Sequence, residues 1–171
     1  MPHRLFLYFF LILPLTCNAE VIRLNAESYS QEKVQEALIL AKPGDTIELA
    51  AGVYRFSDGL SLDVDNVKVI GKGMDKTILS FADQLSGAQG LLVTSSKVTL
   101  KDFAIEDAKG DALKVIGADG IYMINLRAEW TGGPKSTNGA YGLYPVESKD
   151  VLIDGCVAIG ASDAGIYVGQ S

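Results

Sequence analysis

Histidine, cysteine and tryptophan are nearly missing from this chain: 171 residues hold one histidine, two cysteines and one tryptophan. The histidine is His3 and one cysteine is Cys17, both within the first nineteen residues. That stretch has a basic start ending at Arg4, an apolar run from Leu5 to Leu15, and small residues at Asn18 and Ala19. It predicts a secretory signal peptide, residues 1–19, cleaved after Ala19. The apolar run is shorter than the roughly 20 residues a membrane-spanning helix needs, so no membrane span is expected after signal removal. Pro14-Leu15-Thr16 lacks the small residue that precedes a lipid-modified cysteine. The expected location is periplasmic or secreted.

Signal removal sharpens the scarcity. With His3 gone, a Ser-His-Asp triad, a histidine-based zinc site and a Cys-x-x-Cys-His haem attachment are all excluded. Cys156 is left alone, so no internal disulfide can form, and its apolar position predicts a core role. Positive charge is also short: 15 Lys and Arg face 21 Asp and Glu, a net −6. Losing Arg4 makes this 14 − 21 = −7. An acidic domain without a basic stripe excludes nucleic acid and anionic membranes as expected partners. It suits calcium or neutral glycans, and it repels a polyanionic glycan unless basic residues cluster locally.

What is present is repetition. Gly90-Leu91-Leu92-Val93, Ala112-Leu113-Lys114-Val115, Gly142-Leu143-Tyr144-Pro145 and Gly165-Ile166-Tyr167-Val168 share one pattern. Upstream of each lies a second strand, starting at Val67, Val98, Ile121 and Val151, which are 31, 23 and 30 residues apart. Apolar strands of period two, returning at such intervals, predict a stacked solenoid in which each repeat buries its face on its neighbours. Within a repeat, alternation breaks at Asp102, Asn125 and Gly155, residue types that accept turn conformations. Three short parallel strands per coil, about 4.8 Å from coil to coil, describe a right-handed parallel β-helix.

The expected domain covers residues 20–171, with a cap at 20–45 and coils at 46–171. In the cap, Val21 to Asn25 reads as a strand. Ser28 or Ser30 starts a helix running to about Lys42, with Val34, Ala37, Leu38 and Ala41 on one face. Residues 131–139 form a Gly-rich insertion of about seven residues in one turn of the fourth coil. Insertions in solenoids collect on the binding face. The chain stops at Gln170-Ser171, directly after a coil strand and with no polar cap, which predicts an incomplete domain.

Register turns distant residues into neighbours. Glu106 and Glu129 lie at matching offsets and are expected to stack, as calcium ligands or as solvated turn residues. Asp111 and Asp163 flank Tyr141 across three coils. Tyr144, Tyr167 and Lys114 follow on the same strand face, and Trp130 stands at the base of the insertion. Aromatic faces with acids suit a sugar-binding groove; an ordinary side-chain ladder accounts for the same pattern. On the groove reading, Trp130, Tyr141, Tyr144 and Lys135 bind substrate, while Asp111, Lys114, Asp163 and Tyr167 are candidate catalytic residues. β-Elimination or C5-epimerisation needs a base (Lys114 or Arg127), an acid (Tyr141 or Tyr167) and a neutraliser of the uronate (Lys135 or calcium). Hydrolysis by Asp111 and Asp163 faces a separation of about 10 Å.

The whole expected domain resembles the pectin-lyase-like parallel β-helices. Ala37-Leu38, Ala41 through Leu49, Gly52-Val53-Tyr54, Val69 through Gly73 and Thr77-Ile78-Leu79 resemble the entry of secreted polysaccharide lyases and mannuronan epimerases. Glu129 through Pro134, Asn138 through Val146 and Gly160 through Ser171 resemble a family of exported bacterial parallel β-helix repeat proteins. The resemblance implies binding or processing of an extracellular polysaccharide. Genes of that family tend to accompany a di-haem c-type cytochrome, which implies the alternative of a non-enzymatic scaffold docking a cytochrome. The epimerases carry their catalytic acids and histidine in later coils, so no catalytic residue transfers to a position here.

Overall fold

The computed structural model describes residues 19–171. The expected signal peptide falls outside the described residues except for Ala19. A first strand, β1 (Val21–Leu24), leads into α1 (Gln31–Leu40). Five coils follow. They comprise β2 (Thr46–Leu49), β3 (Gly52–Arg55) and β4 (Asp58–Leu62); then β5 (Lys68–Ile70), β6 (Thr77–Ser80) and β7 (Ser86–Val93). The third is β8 (Val98–Lys101), β9 (Ala104–Glu106) and β10 (Asp111–Ile116). The fourth is β11 (Asp119–Ile124), β12 (Arg127–Glu129) and β13 (Tyr141–Val146), and the fifth is β14 (Lys149–Asp154), β15 (Val157–Ile159) and β16 (Ala164–Ile166). They stack into three sheets, β1-β2-β5-β8-β11-β14, β3-β6-β9-β12-β15 and β4-β7-β10-β13-β16. All pairings between these strands are parallel. This is a right-handed parallel β-helix with an N-terminal capping helix.

The recurring Gly/Ala-Leu pattern has a steric cause. Gly90, Ala112, Gly142 and Gly165 fall in one column by the strand register. A Cβ at Gly90 would stand 3.0 Å from Ile105 Cγ2 and 3.2 Å from a Phe81 ring carbon. At Gly142 it would stand 3.0 Å from Ala158 Cβ and 3.3 Å from Ala128 Cβ. The third sheet approaches the second too closely there for a larger side chain. The next residue is buried in the first three copies (Leu91, Leu113, Leu143), each such side chain contributing about 2 kcal/mol, while Ile166 in the last coil is 43% exposed.

The short turn between the first and second sheets is a second column. Asp102, Asn125 and Gly155 have φ of 60°, 50° and 62°. The Asn125 amide donates to Asp102 Oδ1 at 3.0 Å, one coil away. The break in alternation is thus a left-handed corner, which Asn, Asp and Gly accept with least strain.

The cap covers three edges by three devices. Strand β1 pairs with β2 and closes the first sheet. Tyr29 closes the second: its hydroxyl donates to Arg55 O at 3.0 Å and accepts from the Arg55 N–H. Helix α1 closes the third. Gln31 Oε1 accepts from the amides of Ser57 and Asp58, and the Gln35 amide exchanges bonds with Ser61 N and O, both at 2.9 Å. Two glutamine amides stand where a neighbouring strand would otherwise pair. Ser30 caps the helix, and Val34, Ala37 and Leu38 are buried. The helix ends at Leu40, two residues before the expected Lys42, because a residue preceding proline avoids the helical region and Pro43 follows Lys42. Among the described residues no helix is long and apolar enough to cross a membrane.

The last coil is less covered than the fourth. Ile121, Met123 and Ala128 are fully buried. Their register partners Val151, Ile153 and Ala158 are only partly buried. Cys156 sits at this level, half-buried, with its thiol 3.3 Å from Met123 O.

Candidate functional site

The turn between the second and third sheets varies most in length. It has four residues after β9 (107–110), four after β15 (160–163) and eleven after β12 (130–140). The extra seven residues are the expected insertion. They are stitched on both sides. Thr131 N and Oγ1 donate to the Asp107 carboxylate, each at 2.8 Å. Asn138 donates to Gly133 O at 2.9 Å and to Gly160 O at 2.6 Å. Ser162 N donates to Gly139 O at 3.0 Å. The loop is therefore a fixed wall beside β13.

Trp130, expected to contact substrate, packs in the hydrophobic core. It is 5% exposed. Its indole N–H donates to Ala108 O at 2.7 Å, and Gly139 closes over its ring. Trp130 is the floor on which the insertion is built. Lys135 is exposed on the loop, with its ammonium folded back over Gly132. Pro134, Lys135 and Ser136 border a shallow depression shared with Ala161 and Ser162 of the next coil.

On β13 and its neighbours the structure brings the tyrosines together. Register sets Lys114 beside Tyr144, and Asp111 lies two residues before the matched pair Leu113 and Leu143. The Tyr141 and Tyr167 rings stack with centroids 5.0 Å apart and 22° between planes. Tyr144 leans on both, at 4.6 Å from Tyr141 and 5.5 Å from Tyr167. Lys114 Nζ lies 5.0 Å from the centroid of the Tyr144 ring. The expected stripe of separate platforms is instead one packed cluster. Tyr141 is occupied by its neighbours and Tyr144 by Lys114, while Tyr167 remains 44% exposed. It is the most exposed ring of the cluster, with Tyr141 stacked against one of its faces.

The acids bracket this cluster. Asp111 accepts from the Tyr141 backbone N–H at 3.2 Å. Burial pushes its carboxyl above the ordinary value, against the opposing pull of that hydrogen bond and of Lys114. Asp163, exposed on the fifth coil, is the neighbour that leads the causes raising the Tyr141 phenol's pKa. Two coil spacings, about 10 Å, separate the strand positions beside the two acids, with Tyr141 between them. That stands at the upper edge of the roughly 6.5–9.5 Å span of an inverting carboxylate pair.

Glu106 and Glu129 do stack as register partners. Sequence reasoning missed what lies between them. Arg127 pairs with Glu106 Oε1 at 2.8 Å and with Glu129, and its Nε lies 3.6 Å from Asp75 Oδ1. Its Nη2 also donates to Met74 O at 3.2 Å. The Arg127 side chain is 14% exposed. The register partner of Arg127 is Ala104, small enough for the guanidinium to cross the third coil and reach the second. Two glutamates two residues past Ala104 and Arg127 were the available signal. A guanidinium balances the carboxylates here. Among the described residues no group of three or more His, Cys, Asp or Glu is arranged to hold a metal ion.

Solved structures share this architecture. A pectin methylesterase mutant in complex with a hexasaccharide superposes with TM-score 0.53 at 15% identity, over 82% of this chain and 49% of that one. A pectin methylesterase in complex with another hexasaccharide gives TM-score 0.50 at 13% identity, over 75% and 47%. The pectin methylesterase PemA from Erwinia chrysanthemi gives 0.49 at 14% identity, over 78% and 48%. The chain spans about half the length of these structures. No family model and no curated protein matches it. The likeness is one of fold: a right-handed parallel β-helix. Within that architecture the chain is similar to the pectin methylesterases in fold.

Proposed function

We propose that this chain is an exported polysaccharide-binding β-helix, with the Tyr167 face as its binding surface. The observation that carries this reading is the tyrosine cluster itself. An exposed ring braced by Tyr141 and Tyr144 suits a pyranose face, and Asp163 beside it suits a sugar hydroxyl. The fixed insertion walls one side. The hexasaccharide complexes of fold neighbours lend the fold an oligosaccharide precedent. Binding is favoured over hydrolysis, because the Tyr141 backbone N–H engages Asp111 and Tyr141 lies between the two acids.

The test is affinity electrophoresis of the full chain through gels carrying soluble extracellular polysaccharides. At least one polymer retards the chain, and Tyr167→Ala weakens that retardation about tenfold, the loss of one stacking contact. Unretarded migration through every polymer overturns the proposal.

A further inference from the structure

The charge layout around the tyrosine cluster restricts what can bind there, on the reading that this cluster is the glycan surface. We infer that the Tyr167 face takes an uncharged glycan chain and rejects a polyuronate.

A polyuronate presents a carboxylate on every ring. A site that accepts it needs a cation free to meet that charge at ring level. Lys114 is the cation on the strands that carry the cluster, and it is already engaged. Its ammonium lies against Tyr144, and it faces the Asp111 carboxylate, which it draws down in pKa. Lys109 and Lys135 are exposed on the turns before β10 and β13, off the strands that hold the rings. The Lys135 ammonium turns back over Gly132. The charges nearest the rings are therefore Asp111, Asp163 and Lys114, a local balance of −1. The whole chain adds a net −6 to the same sign. A uronate on the Tyr167 face would sit beside Asp163 with no unpartnered cation at ring level. A neutral pyranose gains there: its apolar face covers the Tyr167 ring and a hydroxyl donates to Asp163.

The experiment uses a matched pair of polymers, polygalacturonate and the same polymer after chemical reduction of its carboxyls to primary alcohols. A panel of neutral glycans of other linkages runs beside them. Binding of the full chain is measured by titration calorimetry at low and at high salt. The expected result is a neutral polymer bound about tenfold more tightly than polygalacturonate at low salt. The gap narrows as salt screens the repulsion. The double variant Asp111→Asn with Asp163→Asn, checked for a β-rich circular dichroism spectrum, gains affinity for polygalacturonate at low salt. Equal or tighter binding of polygalacturonate overturns the inference. If that binding is lost in Tyr167→Ala, the tyrosine surface survives as a glycan site and only its neutral preference falls. If neither neutral nor acidic polymer binds, both readings fall together.

Discussion

Asn125 and Asp102 hold the same corner on adjacent coils: both backbones are left-handed, and the amide of one donates to the carboxylate of the other at 3.0 Å. The residue type at this corner answers two demands at once. Asn125→Ala meets neither, and we expect a loss of about 1–2 kcal/mol from the left-handed strain. Asn125→Gly meets the backbone demand alone and recovers most of that loss. Denaturant midpoints of the two variants check this; equal midpoints would show that the corner is not strained.

Trp130 provides an intrinsic reporter, because the chain has one tryptophan. Its burial and its hydrogen bond to Ala108 O predict a blue-shifted emission that a soluble quencher barely reaches. A glycan on the proposed Tyr167 surface leaves this emission unchanged. A large shift or strong protection on glycan addition would instead put Trp130 in contact with ligand.

Removing the Arg127 charge strands Glu106 and Glu129 in a largely covered position. Arg127→Met should cost about 3 kcal/mol, the loss expected when one partner of a buried ion pair is deleted. Adding Glu106→Gln and Glu129→Gln to that variant should restore most of it. A loss of only a few tenths of a kcal/mol in the single variant would class the cluster as an exposed ion pair.

Asp111 sets a pH dependence whose sign follows from its desolvation. Its folded pKa is raised above 3.8. Its stabilising contribution is therefore fully present below 3.8 and is lost as pH rises through the folded value, so the ionised carboxylate is a cost at neutral pH. Asp111→Asn keeps an acceptor for the Tyr141 N–H and carries no charge. It melts at a higher temperature than the parent at neutral pH, and the gap closes as pH falls below 3.8. A gap independent of pH refutes this account.

The Tyr141 phenol is held protonated past the ordinary value of 10.0, first by the neighbouring Asp163 and then by desolvation. An ultraviolet phenolate titration of Asp163→Asn, compared with the parent, should show one tyrosine moving to lower pKa. Superimposable curves would separate Tyr141 from Asp163 in solution.

The fold was legible because its rule is periodic. Val98, Ile121 and Val151 recur at one register position, and Asp102, Asn125 and Gly155 mark one corner. Repetition of that kind leaves a trace in the order of residues. The site was half legible. Lys114 with Tyr144, and Glu106 with Glu129, follow from register alone. The fate of Trp130 does not, because it depends on how the insertion folds back. That path is set by bonds that Thr131 and Asn138 of the insertion donate to Asp107 and Gly160 in the shorter turns on either side. Arg127, read from the sequence as a candidate base, is instead held in ion pairs with Glu106, Glu129 and Asp75, and those partners escaped notice for a different reason. Arg127 reaches past its register neighbour to Met74 and Asp75, two coils away, a distance that strand pairing cannot encode.

The column of Gly90, Ala112, Gly142 and Gly165 gives the tube a fixed waist. Its interior is settled by atoms that leave no slack, whereas the turn that follows β9, β12 and β15 lies outside that constriction. Lengthening this turn, as the fourth coil does, leaves the waist as it was. The molecule can therefore reshape its outer surface by growing outward at one corner, with its core packing untouched.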